Sequence, residues 1–287
     1  MDIKAAWRAL RRRLNRRAIG ELQLMKRYEK VHGRPFDPAH VERFTEKVLQ
    51  RMLVVNRRGN ALYSRLSDKY AVRDYVREKV GAEHLVDLIW SGTDPRRIPF
   101  DTLPSKCVIK TNNGSGGNIL IDGACDRDDV IARLTEWLGK DYYWIDHEYH
   151  YAKIKPRVVI EAYLDDGQEN GPLDYKLWCF DGVPQLVQVD DCRHGINALY
   201  DRDWTLLPFR YRDNQKDFNM PRPANLDRLL EVGARLSEGF DFVRVDLYNV
   251  HGQVYFGEMT FTPLGGRMRF RPDEWDLTVG RFWQQAH

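Results

Sequence analysis

The chain has 287 residues, 43% hydrophobic and 12% aromatic, enough for one large or two ordinary cores, which excludes disorder as the expected state. No run reaches the length of a membrane span and no signal peptide opens the chain. Cys107, Cys125, Cys179 and Cys192 stand far apart with no C-x-x-C pair, so reduced thiols in a cytosolic protein are expected rather than a disulfide framework.

Net charge is only +3, but it is unevenly placed. Residues 1–17 carry Lys4, Arg8, Arg11, Arg12, Arg13, Arg16 and Arg17 against one acid, Asp2, with Ile3, Trp7, Leu10 and Leu14 at helical spacing. This reads as a basic amphipathic helix, suited to an anionic membrane surface, a nucleic acid, a partner, or packing on its own domain. Helices over 18–31 and 38–55 follow, separated by Gly33-Arg34-Pro35; Val41, Phe44, Val48, Leu49 and Met52 form the apolar stripe of the second. Residues 1–62 are thus expected to be a helical N-terminal region. A further helix is expected to start at Ser67 or Asp68 as N-cap and to run to Gly81, with Asp68-Lys69 in its first turn and Arg73 one turn on.

Cys107-Val108-Ile109 and Ile119-Leu120-Ile121 read as strands around the loop Lys110-Thr111-Asn112-Asn113-Gly114-Ser115-Gly116-Gly117-Asn118. Three glycines in four positions let backbone N–H groups approach a phosphate chain, and Lys110 adds a point charge. The spacing fits neither the P-loop nor the dinucleotide fingerprint. Asp126 caps a helix over 128–138, the aromatic-rich stretch 142–151 resists assignment, and 157–164 reads as a strand ending in the polar loop 165–171. Residues 175–180 and 185–189 around Asp181-Gly182 predict a hairpin, and a long loop through 200–204 leads to a helix near 225–240.

The last hairpin carries the most chemistry. In Phe242-Val243-Arg244-Val245-Asp246-Leu247-Tyr248 the residues Val243, Val245 and Leu247 face one way and Arg244 and Asp246 the other. A three-residue loop Val250-His251-Gly252 would set Glu258 opposite Arg244 and diagonal to Asp246, about 7–8 Å away between Cβ atoms. A two-residue turn would put Glu258 on the other face and destroy the site. Two carboxylates with lysines and a Gly-rich loop suit Mg²⁺-assisted chemistry on ATP.

In order, Asp68-Lys69, Val108-Ile109-Lys110, the Gly-rich loop, Val158-Val159-Ile160-Glu161, Asp174-Tyr175-Lys176, the run 242–248 and Phe256-Gly257-Glu258-Met259-Thr260 resemble the ATP-grasp fold over residues 63–280. More narrowly they resemble its polysaccharide-biosynthesis branch named for teichuronopeptide synthesis. The resemblance implies an α+β fold: two subdomains, 63–160 (lid) and 161–287 (metal and catalytic), with mainly antiparallel sheets sandwiching the nucleotide. It implies that Lys69 and Lys110 hold the α- and β-phosphates and that the loop Asn113, Gly114, Ser115, Gly116, Gly117 and Asn118 closes over the β- and γ-phosphates. Glu161, with the backbone of Ala162, Tyr163 and Leu164, would meet adenine, and Asp165 or Asp166 the ribose. Lys176 would reach the γ-phosphate, Asp246 and Glu258 would ligate Mg²⁺, and Arg244 would stabilise the transferring phosphoryl group.

Two departures stand out. Thr260 occupies the place of a usual Asn ligand, and helix replaces the usual preceding α/β domain. The chemistry the resemblance implies is ATP-dependent joining of a uronic-acid carboxylate to an amine through an acyl phosphate. Arg193, Arg267 and Arg269 are candidates for gripping the substrate carboxylate, and Glu148 and Tyr151 for approaching the pocket. The rivals are a sugar kinase on the same site and a non-enzymatic scaffold acting through residues 1–17. Zinc is disfavoured because His147 and His150 lie three apart with no cysteine pair. Nucleic acid is not expected as a partner.

Overall fold

Trp178, Phe180 and Phe242 point to the same side of one sheet as Lys176, Arg244 and Asp246, and this division of a single face between aromatic and ionic residues positions the site. A computed structural model describes residues 3–114, 116–167, 171–190, 197–211 and 219–285, the side chains of 3–17 excepted. Ser115, Cys192 and Arg193 lie outside the described residues, as do the side chains of the basic segment 1–17.

The chain opens with α1 (Ile3–His32), α2 (Phe44–Arg58), α3 (Ala61–Ser67) and α4 (Val72–Val80). Next come β1 (Leu88–Gly92), β2 (Lys106–Thr111), β3 (Asn118–Asp122), α5 (Arg127–Leu138), the short α6 (Tyr143–Asp146) and β4 (Val158–Ala162). A second group follows: β5 (Asp174–Phe180), β6 (Val183–Asp190), β7 (Asn197–Asp201), α7 (Leu226–Ser237), β8 (Phe242–Val250), β9 (Gln253–Thr260) and α8 (Glu274–Phe282). The first sheet has the order β1-β4-β2-β3 and the second β7-β6-β5-β8-β9. Every pairing is antiparallel. Strand β4 runs across the 160/161 division drawn from the sequence. Among the described residues no helix is long and apolar enough to cross a membrane.

Each sheet buries the face its alternation marks. In the first, Cys107, Ile109, Ile119, Ile121, Val158 and Ile160 pack on Val130 and Leu134 of α5. In the second, Leu177, Val187, Val243, Val245 and Leu247 pack on α4 and α7 through Val76, Leu229, Val232 and Leu236. The aromatic end of its other face is closed by Phe44 of α2, whose ring lies 5.2 Å from Trp178, 5.0 Å from Phe242 and 5.6 Å from Trp283.

Several helix bounds differ from expectation. Residues 1–17 and 18–31 form one helix, because nothing between Arg17 and Ala18 breaks it. Gly20 continues it where the Tyr143 hydroxyl comes too close for any side chain. Helix α2 starts at Phe44 rather than 38, after Asp37 has turned the chain by accepting from the Ala39 N–H at 2.9 Å. Asp68 does not cap one long helix. It closes α3 and accepts from the N–H of Tyr70 at 2.8 Å and of Ala71 at 3.3 Å, so α4 begins only at Val72.

A long-range cap joins the two ends of the chain. Buried Asp276 of α8 accepts from the Thr45 N–H at 2.9 Å and the Thr45 hydroxyl at 2.6 Å, satisfying the start of α2. Burial pushes its carboxyl up to about 6 despite those bonds and the nearby Arg43 and Arg34. A carboxyl raised in the folded state binds its proton more tightly there, so its contribution to stability falls as pH rises from about 3.8 to about 6. Asp276→Asn is expected to flatten that part of the stability curve by about 2–3 kcal/mol. Melting temperatures of both proteins between pH 3.5 and 6.5 (an interval set by that window) check this; parallel curves would refute it.

Candidate functional site

The β8–β9 hairpin sets the ionic cluster, though not by the expected register. Its turn has two residues, His251 and Gly252, both at positive φ (51° and 84°), as a type I′ turn requires. Pairing runs Val250–Gln253 to Leu247–Phe256, then shifts so that Asp246 faces Glu258 and Arg244 faces Thr260. Gly257 is the extra residue of a β-bulge. A Cβ there would stand 3.0 Å from the Asp246 carbonyl oxygen, so glycine suits this close approach. The expected three-residue loop and the Arg244–Glu258 pairing are therefore corrected. The bulge restores the face that a two-residue turn alone would have lost, and Asp246 and Glu258 are directly opposed rather than diagonal.

Arg244 ties the cluster together. Its Nε donates to Asp246 Oδ1 and its Nη2 to Asp246 Oδ2, both at 2.6 Å; Nη2 also reaches Glu258 Oε1 at 3.2 Å and Thr260 Oγ1 at 3.1 Å. Thr260 Oγ1 donates to Glu258 Oε1 at 3.0 Å. Lys176 on β5 pairs with Asp246 in the ladder and is held by Asp190 at 3.0 Å and Asp174 at 3.4 Å. Asp246 is 4% exposed, whereas the Glu258 side chain is 40% exposed, so the pair opens to solvent from the β9 side. Burial pushes Asp246 up to about 6 against the pull of Arg244. Burial also favours neutral Glu258, but Lys69, Arg244 and Lys176 outweigh it and hold that carboxyl below its usual range.

Lys69 links this cluster to the first sheet. Its Nζ donates to the Gly114 carbonyl in the Gly-rich loop at 2.7 Å, and it feels Glu258 together with Lys110 and Glu161. Burial lowers its pKa. The loop is anchored from both sides. Asn112 donates to Asp68 at 2.8 Å and accepts from the Arg157 N–H at 2.7 Å, while Thr111 N–H bonds the Gly117 carbonyl at 3.2 Å. Gly114 lies against the Tyr142 ring, where no side chain fits, and Gly116 has φ 81°. Among the described residues the buried Thr111 Oγ1 and Asn113 Oδ1 have no hydrogen-bond partner, leaving polar groups on the loop for a ligand.

The Glu161 carboxylate is ion-paired on both sides, shared by Lys110 at 2.8 Å and Arg73 at 2.8 Å. Asn118 pairs with Lys110 across the β2–β3 ladder, and Ala162 pairs with Cys107 on β2. The Tyr163 ring stacks under Lys106 at 4.1 Å, and Leu164 and Asp165 open the following loop, where Asp165 accepts from the Gly167 N–H at 3.0 Å.

Glu148 and Tyr151 do come to the cluster: both feel Glu258 and Arg244. Thr262, two residues beyond Thr260, donates to Glu148, and burial raises the Glu148 carboxyl to about 7. Arg267 is instead tied to Asp146, which it shares with Arg27, and Arg269 is exposed, joined by its backbone N–H to Tyr211. His150 is buried and its pKa is pushed down to about 3 by burial, as a neutral packing residue. Among the described residues no three of His, Cys, Asp and Glu cluster as a closed metal cage. Asp190, Thr262 and Arg27 escaped the sequence reading, which placed Arg73 one turn on from Lys69 but gave it no role in the site. Only Asp190 had a local signal there, two residues along β6 from Gln188, the partner of Lys176.

Two opposed carboxylates and a hydroxyl are hard oxygen donors, and their incomplete set fits Mg²⁺, which takes one or two carboxylates plus phosphate and water. A loop bracketed by two lysines fits the polyphosphate.

A family model described as TupA-like ATPgrasp matches residues 46–284. Solved structures with similar folds include D-alanine–D-alanine ligase from Bacillus anthracis complexed with ATP, at 18% identity and TM-score 0.43 over 69% of this chain and 54% of that one. The D-alanine–D-alanine ligase from Helicobacter pylori matches at 15% identity and TM-score 0.42 over 75% and 61%. Phosphoribosylamine–glycine ligase from Thermotoga maritima matches at 13% identity and TM-score 0.40 over 71% and 51%. The chain thus spans a little over half the length of these structures, and likeness at this level adds nothing to the family match. No curated protein matches the chain.

Proposed function

The chain belongs to the TupA-like ATP-grasp family, and from that premise we propose that it is an ATP- and Mg²⁺-dependent carboxylate–amine ligase. The carboxylate we propose is a uronic acid of a polysaccharide or its precursor, and the amine an amino acid or similar nucleophile. The observation that carries the reading is Lys69, which bonds the Gly-rich loop of one sheet and feels the carboxylate Glu258 of the other. Phosphate-binding and metal-binding groups thereby converge from two rigid frames.

When bound, Mg·ATP supplies the phosphoryl group that turns a carboxylate into an acyl phosphate. In this reading Asp246 and Glu258 hold the metal, with Thr260 beside them, and Lys69, Lys110 and the loop 113–118 hold the phosphates. Arg244 and Lys176 neutralise charge that develops on the transferring oxygens. Glu161 and Arg73 fix Lys110 in place. The backbone of 162–164 and Asp165 remain the proposed nucleoside contacts. Release of ADP with Mg²⁺ and ATP across a panel of uronic and amino acids tests this. Hydroxylamine added to the reaction should trap a hydroxamate; ADP release without it would point to a kinase.

An incoming ammonium must lose a proton before it attacks. Glu148, enclosed beside Arg244 and raised to about 7, is suited to take it. Since the base must be ionised, wild-type kcat is expected to rise with pH through about 7. Glu148→Gln should lose that rise and lower kcat about 100-fold with little change in KM for ATP. An unchanged pH profile would remove Glu148 from this role. We also propose that the protein works in the cytosol with residues 1–17 touching an anionic membrane. Vesicle flotation after charge reversal at Arg11, Arg12 and Arg13 tests that contact, and undiminished binding would refute it.

A further inference from the structure

A cleft of about 730 Å³ opens between the end of α2, α3 and the 3-10 turn Tyr149–Lys153. Arg58, Arg65, Lys153 and Lys155 line it and are all exposed, and among the described residues none of the four is in an ion pair. The single carboxylate of the cleft, Asp68, is engaged by Asn112 and by the N–H groups of its own turn. Four like charges converging on one concavity raise its positive potential and favour a multiply charged anion. Its remaining polar wall is the Asn60 side chain, whose Oδ1 accepts from the Tyr63 N–H and whose Nδ2 can still donate, the Ser64 hydroxyl, which donates to the Asn60 carbonyl and can still accept, and the ring of Tyr149, groups that suit sugar hydroxyls and a pyranose face. No strand edge lines the cleft, so an extended peptide has no ladder to join.

One wall of the cleft is bonded to the Gly-rich loop. Asp68 bonds Asn112 at the base of the Gly-rich loop, and the next residue, Lys69, bonds the Gly114 carbonyl. We propose that this cleft is the acceptor subsite and takes an acidic saccharide carrying carboxylates on neighbouring sugar units. The proposal rests on the ligase reading and adds where the acceptor chain lies and which cations hold it.

Calorimetry on the full chain tests it with trigalacturonate, maltotriose, triglutamate and Mg·ATP as separate probes. Trigalacturonate is expected to bind, more weakly as salt rises, and neutral maltotriose not to bind. Arg65→Glu with Lys153→Glu, both on the surface, should weaken trigalacturonate about tenfold or more while Mg·ATP affinity stays within about twofold. An unchanged trigalacturonate affinity in that variant overturns the proposal. So does triglutamate binding as tightly as trigalacturonate, or a parallel loss of Mg·ATP binding, which would give the cleft to the nucleotide. Wild type that binds Mg·ATP but not trigalacturonate ends the subsite and spares the ligase reading; wild type that does not bind Mg·ATP ends both.

Discussion

Asp246→Asn is expected to slow ADP formation by about 10²–10³-fold and to raise the Mg²⁺ concentration needed for half-maximal rate. The substitution keeps the shape and one oxygen for the Arg244 fork, which spans Asp246 Oδ1 and Oδ2 at 2.6 Å each. It removes the charge that opposes Glu258 across the ladder. Asp246→Ala is the poorer test, because it strands Arg244, only 7% exposed, and breaking a buried pair costs about 3–5 kcal/mol. A coupled ADP assay with Mg²⁺ titration, alongside a melting curve, separates lost chemistry from lost fold. Turnover at the wild-type rate in a folded Asp246→Asn protein would sink the metal role.

The face on which these groups meet was readable because strand alternation is local. Val243, Val245 and Leu247 enter the core, and Arg244 and Asp246 must then point the other way. The register was not readable. Either turn length is compatible with Val250-His251-Gly252, and the bulge at Gly257 is visible only once Leu247 and Asp246 have both found partners on β9. A single glycine inside a strand run was the available clue.

Other misses have the same origin in non-local contacts. Strand β1 is formed by pairing with β4, more than sixty residues later (a long-range pairing of the kind loop closure disfavours), and its own residues are only partly buried. Strand β7 exists through β6. Helix α8 had no strong signal of its own; it is held by Trp283 against Phe44 and Phe242 and by the Asp276 cap on Thr45. The ion pairs of Glu161 were not readable, because neither partner is near it in sequence. Arg73 and Lys110 reach it only when α4 and β2 come to β4.

Arg244→Lys should prove nearly as damaging as loss of Asp246, and for a different reason. One planar guanidinium serves three acceptor groups at once: Asp246 through both oxygens, Glu258 Oε1 and Thr260 Oγ1. An ammonium keeps the charge but is a point donor and cannot form the fork. The opposed carboxylates would keep their strands and lose their mutual orientation. Because Lys69 and the loop are held by bonds that do not involve Arg244, KM for ATP is expected to stay within about threefold while kcat falls about 100-fold or more. The folded state should lose about 1–3 kcal/mol, since a buried carboxylate keeps a cation but gives up one of two charge-assisted bonds. Steady-state kinetics with a denaturant titration would read both numbers. A rise in KM for ATP with kcat intact would move Arg244 from the transferring group to the binding of the nucleotide.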